Sequence, residues 1–168
     1  MNDMERRLRR LEDRAALDDL IVRYFLAADG DDPQGLADSF TQNASFASSG
    51  VVNAQGRAAI VDFIGTSRTH MGLTVHTPHY GLYSFIDDDR AEGLVGAHLE
   101  LALAGEPLFG AVRYQDEYRR TPEGWRIARR DMRTIHIAPW SDVGQSLLSP
   151  TPVRWPGTAP AASDYPRK

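Results

Sequence analysis

The 168-residue chain contains no cysteine. This excludes disulfide staples, thiolate metal sites, iron–sulfur clusters and a cysteine nucleophile. It has no apolar run near the roughly 20 residues of a membrane span, and Met1 to Arg10 is too charged for a secretory signal. No large excess of charge is present either. Against 23 Asp and Glu stand 19 Lys and Arg, a formal charge of −4, which removes any global electrostatic case for nucleic acid. P-loop, Gly-x-Gly-x-x-Gly, His-Glu-x-x-His and Gly-x-Ser-x-Gly motifs are also missing. What remains, 42% hydrophobic and 25% charged, is the make-up of one globular, cytoplasmic domain with one core. Its chemistry falls to five histidines, the carboxylates, the hydroxyls and the arginines.

The order of elements is read from caps and periods. Asn2, with Glu5 three residues on, opens a helix from about Asp3 to Ala28. Along its first half arginines alternate with Glu5, Glu12, Asp13, Asp18 and Asp19 as a solvated, salt-bridged face. Its second half, Leu20 to Ala28, is apolar nearly all round and is expected to be buried on more than one side. Gly30 stops that helix, and Asp32-Pro33 starts a short one running to about Phe40. Asn43 to Ser48 reads as a strand, Ser49-Gly50 onward as loop, and Arg57 to about Thr66 as a third helix. Four long strands follow: Leu73 to Ile86, Gly93 to Ala104, Phe109 to Arg120 and Trp125 to Ile137. Helices first and a meander afterwards make an α+β domain, with helices on one face of a curved antiparallel sheet. Six of the ten prolines lie from Pro139 onward, so the expected division is a domain over 1–138 and an extended tail over 139–168.

Two features point to chemistry. A turn centred on Asp88-Asp89 would set His79 opposite His98, on one sheet face, and His76 opposite Leu101; the alternative is two unrelated strand histidines. A one-residue bulge would break that pairing, and Gly93 is a plausible place for one. Asp29 ends an apolar helix, where partial burial would raise its carboxyl toward a useful base; the alternative is a surface carboxylate beside Asp31 and Asp32. Tyr24, Tyr114, Tyr118 and Trp125 read as packing, as do the adjacent Arg129 and Arg130, one for each face. His76 and His79, three apart on a strand, point to opposite faces and are not expected to share a metal.

The segments Arg14 to Asp29, Leu36 to Ala44, Gly56 to Ile60, His76 to Gly81, Asp89 to Gly93, Tyr114 to Tyr118 and Glu123 to Ile127 resemble, in order and spacing, the SnoaL-like branch of the nuclear-transport-factor-2-like superfamily. Within it the chain is similar to scytalone dehydratase, hexachlorocyclohexane dehydrochlorinase and bile-acid 7α-dehydratase. The resemblance implies a cone: a curved sheet wrapped by three helices around an apolar pocket. It also implies an Asp–His base dyad, mapped to Asp29 and His79 with His76 as the other candidate, and no cofactor or metal. Ala44 to Ser49 offers Phe46 and Ser45 but no tyrosine where scytalone dehydratase carries one, so the phenol falls to Tyr24.

The expected function is a dehydratase-type lyase on a small, largely apolar cyclic substrate. Its catalytic residues would be Asp29, His79, Tyr24 and His98, and its pocket would be lined by Phe25, Phe63, His76, Tyr83, Phe85 and Trp140. The alternatives are an isomerase or polyketide cyclase, or a non-catalytic small-molecule binding domain. With His98 inward, Val95, Ala97, Leu99 and Leu101 would form an apolar outer face, which asks for a homo-oligomer; the resemblance favours a trimer over a dimer. No nucleic-acid or membrane partner is expected.

Overall fold

A computed structural model describes residues 2–165, so Pro166 and the last residues of the tail lie outside the described residues. Helix α1 spans Asp3–Asp29. The Asn2 side chain accepts from the Glu5 amide at 2.9 Å while Glu5 accepts from the Asn2 amide at 2.8 Å, a reciprocal cap. Gly30 closes the helix on the Leu26 carbonyl. Asp32 caps α2 (Pro33–Ser39) through the Gln34 and Gly35 amides. Strands β1 (Phe40–Ser48) and β2 (Val51–Gln55) are joined at Ser49-Gly50, both at positive φ. Then come α3 (Arg57–Arg68), β3 (Met71–Phe85), β4 (Arg90–Leu103), β5 (Glu106–Thr121) and β6 (Gly124–Pro139). Strand β2 replaces the loop expected after Gly50. It is a mostly exposed edge strand of five residues, too short to show a period.

The six strands form one sheet in the order β2-β1-β6-β5-β4-β3, with only β1–β6 parallel. Bulges interrupt the β1–β2, β3–β4 and β5–β6 ladders, and bulges bend and twist a sheet into the curvature a cone needs. Helix α1 lies in the hollow and buries Leu17, Leu20, Ile21, Tyr24, Phe25 and Ala28. Asp13 fixes its middle by accepting from Trp125 Nε1 at 3.0 Å and Arg120 at 2.7 Å. Of Leu20 to Ala28, expected to be buried on more than one side, Leu20, Ile21, Tyr24, Phe25, Ala27 and Ala28 are buried, while Val22, Arg23 and Leu26 are exposed.

The β3–β4 register also differs from the turn arithmetic. Tyr83 pairs with Gly93 and Tyr80 with Gly96, but Pro78 pairs with Ala97 and His76 with Leu99. The extra residue is His79, so the bulge sits there and not at Gly93. It switches the inward parity of β3, from Thr74 and His76 below it to Gly81, Tyr83 and Phe85 above. On β4 the inward residues are Val95, Ala97, Leu99 and Leu101, all buried. The apolar outer face expected from these four is therefore core, and His98 points outward.

Beyond β6 the chain makes a 3-10 turn (Trp140–Asp142) and a short helix, α4 (Val143–Leu148). It then returns across the open end of the hollow. Val153 pairs with Ile137 and Ala161, and Asp164 accepts from the Thr134 amide and the Ser49 hydroxyl, both at 2.7 Å.

Candidate active site

The C-terminus of α1 delivers Asp29 to the inward face of β3. Its Oδ1 lies 2.7 Å from His76 Nδ1 and accepts from the Thr74 hydroxyl at 2.8 Å; its Oδ2 accepts from the His76 amide at 2.8 Å. Both side chains are more than four-fifths buried. Thr74 and His76 share the inward face because they are two apart on a strand below the bulge. Phe25, one helical turn before Asp29, stacks on the imidazole, with ring centres 4.8 Å apart and planes within 8°.

Burial alone would raise the Asp29 carboxyl. The bonds from His76 and Thr74 outweigh it and hold the group below its ordinary value. An ionised Asp29 needs a proton on Nδ1, which leaves the lone pair on Nε2 of a neutral His76. Behind Thr74 stands Arg68, from the last turn of α3. It donates to the Thr74 hydroxyl at 2.7 Å and to Asp31 at 2.6 Å. Thr74 has one hydroxyl proton, so a donor on its oxygen turns that proton toward Asp29.

His76 opens onto a cavity of about 190 Å³. Its wall is mainly apolar, with Phe46, Phe63, Met71, Leu99, Leu101 and Met132 on it, and Trp155 from the tail closes one side. Tyr24 and Tyr114 also line it. Behind them Arg130 is wholly buried, paired with Asp116 at 2.6 and 2.9 Å, and packed 4.1 and 4.6 Å from the two rings. Burial raises both phenols despite the opposing pull of Arg130, so they stay protonated donors. No three His, Cys, Asp or Glu side chains among the described residues are placed to hold a metal ion. No helix among them is long and apolar enough to cross a membrane.

Of the expected site residues, Asp29, Tyr24, Phe63 and His76 meet here. His79 does not. As the bulge residue it is exposed, and its ring lies edge-on to His98, 4.2 Å between centres, on the far side of the sheet from Asp29. The two histidines thus converge as expected, but not on the pocket. Phe25 supports His76 and is absent from the cavity wall. Tyr83 turns to Asp18 at 2.9 Å, Phe85 packs on Trp125, and the exposed Trp140 packs on Phe109. Sequence reasoning missed Thr74, Arg68, Tyr114, Arg130 and Trp155. For Thr74 a signal existed, since it stands two residues before His76; none marks Trp155.

Residues 9–131 match the SnoaL-like domain family. No curated protein matches the chain. Among solved structures, the hexachlorocyclohexane dehydrochlorinase LinA-type3 of Novosphingobium barchaimii superposes with a TM-score of 0.73 at 20% identity, over 80% of this chain and 94% of that one. A scytalone dehydratase-like protein of Novosphingobium aromaticivorans gives 0.73 at 18%, over 90% and 97%. An NTF2-like protein with a cystatin-like fold from the same species gives 0.66 at 28% identity, over 77% and 86%.

Proposed function

The chain belongs to the SnoaL-like domain family, and from that premise we propose that it is a cofactor-independent lyase acting on a small, largely apolar ring. The observation that carries the reading is the 2.7 Å bond from Asp29 to His76 Nδ1 at the wall of an apolar cavity. Asp29 orients the imidazole and balances the charge it gains, and His76 Nε2 removes a carbon-bound proton. The electrons of that C–H bond form the new double bond, and the leaving group on the neighbouring carbon departs with its own bonding pair. In this reading Tyr24 and Tyr114, which line the cavity, donate hydrogen bonds to a developing oxyanion or a departing electronegative atom. Arg130 behind them favours negative charge on that side. A cavity of about 190 Å³ suits one ring better than several. His79 and His98 have no part in this scheme. A homo-oligomer in the cytoplasm belongs to the reading, but not through Leu99 and Leu101, which are buried.

Six-membered rings with a hydroxyl or halogen next to an acidified C–H are the substrates to test, with released water or halide and the unsaturated product as readouts. Asp29→Asn and His76→Ala are each expected to lower turnover by about 10²–10⁴-fold, while His79→Ala leaves it near wild type. Wild-type rates in both dyad variants would end the scheme. An isomeric product with nothing released would favour the isomerase or cyclase alternative, and saturable binding without turnover the binding domain.

A further inference from the structure

Helix α1 carries a second apolar face that its own domain does not use. Met4, Leu8, Leu11, Val22 and Leu26 are 45 to 68% exposed, and Ala15 is exposed with them. At 100° per residue these six fall within an arc of about 60°. The side embedded in the domain, which includes Asp13, Leu20 and Ala27, lies roughly opposite. A narrow apolar stripe along a helix, facing away from its own core, has the pattern of a coiled-coil seam.

The charges beside the stripe select its occupant. With Met4 and Leu11 at d and Leu8, Ala15 and Val22 at a, the e positions are Glu5, Glu12 and Asp19, and the g positions include Arg7 and Arg14. Among the described residues Arg7, Arg14, Glu12 and Asp19 take part in no ion pair within the chain, and Arg14 makes only a long 3.4 Å bond to the Gly81 carbonyl; the pairs of this helix use Asp3, Arg6, Arg9, Asp13 and Asp29. In a parallel coiled coil a g residue meets the e residue of the following heptad on the other helix. Arg7 would then face Glu12 of the second copy, and Arg14 would face Asp19, opposite charges in both cases. In the antiparallel arrangement g meets g and e meets e, which sets like against like.

We infer that α1 pairs in parallel and in register with α1 of a second copy of this chain, along a seam from Met4 to Val22. Asp18, at the last d position, is bound to Tyr83 of its own sheet, so the tightest contact lies from Met4 to Ala15. The two domains then hang on opposite sides of the helix pair, each cavity facing its own sheet. The inference is independent of the chemistry proposed for the cavity.

Sedimentation of the full chain at tens of micromolar is expected to give twice the chain mass. Leu8→Glu with Leu11→Glu should give the single-chain mass with unchanged circular dichroism, since both sites are exposed, and a melting temperature that no longer rises with protein concentration. The absence of native cysteine makes direction directly readable. Leu8→Cys and Ala15→Cys, each alone, should both cross-link to a homodimer under mild oxidation, because in a parallel seam every a position meets its own copy. Cross-linking at only one of the two sites, an oligomer that survives the double glutamate variant, or a wild-type monomer would each overturn the inference. So would a wild-type monomer that floats with anionic lipid vesicles, which would make the stripe a membrane-surface face.

Discussion

At the scale of the residue, Asp29 is the group on which the site turns, and its burial has a measurable consequence. A carboxyl held below its unfolded value stabilises the fold at any pH above that unfolded value. The contribution is lost as pH falls through the folded value. Denaturation of wild type and Asp29→Asn between about pH 7 and pH 3 should therefore show a stability difference that shrinks on acidification. A pH-independent difference would mean that Asp29 contributes through shape alone. Removing the Arg68 donor tests the same balance from behind. Arg68→Met frees the Thr74 hydroxyl to rotate, and the Asp29 carboxyl, followed by NMR without any substrate, should titrate closer to its ordinary value. This residue-level chemistry was half legible in the sequence. An acid closing an apolar helix and a strand histidine are visible in the letters; which histidine it meets depends on side-chain parity, and one inserted residue reverses that.

The element that decides the parity is the bulge in β3. Caps and turns made most other elements legible: Asn2 with Glu5, Asp32-Pro33, and the Asp87 to Arg90 turn each mark a boundary that the structure keeps within a few residues. A bulge leaves no such mark. Glycine is a usual mark of one, yet Gly93 pairs regularly with Tyr83 and its missing side chain makes room for the Tyr83 and Tyr118 rings instead. His79 takes the irregular position, where a side chain thrown onto the outer face costs little. Substitution and deletion at this position are therefore expected to differ sharply. His79→Ala removes an exposed side chain and should change stability by about 0.5 kcal/mol or less. Deleting His79 forces either Thr74 and His76 or Tyr83 and Phe85 out of the hollow. The burial lost with two aromatic side chains is about 3 kcal/mol or more, and losing the other pair dismantles the Asp29 contacts. A deletion variant that melts with wild type and turns over normally would show that the sheet can re-form its register without the bulge.

The molecule as a whole is a hollow with a helix in it, and the open end needs a cover. The sheet supplies Leu99, Leu101, Leu108 and Ile137 at that end, a cluster separate from the one under α1, and the returning tail lays Val153 and Trp155 on them. Composition alone marks this segment only as rich in proline, because an extended strap has no period and takes its place from the surface it crosses. Its placement is held by backbone pairing at Val153 and by Asp164, which accepts from β6 and from the Ser49 hydroxyl next to β1. Trp155 is the part of the strap that reaches the cavity wall, within the same enclosure as His76 and Tyr114. Removing its ring enlarges the cavity and lets water approach the dyad, while Asp29, Thr74 and His76 keep their mutual bonds. Water weakens the contrast between a dry, fixed set of donors and the charge that develops in the reaction, and it removes apolar contact with a bound ring. Trp155→Ala is thus expected to raise KM severalfold and to lower kcat less than either dyad variant, with a modest fall in melting temperature. Asp164→Ala, which loosens the strap without touching the cavity, should move KM in the same direction by less. Equal KM values in wild type and Trp155→Ala would detach the tail from the site and leave it a support for the sheet alone.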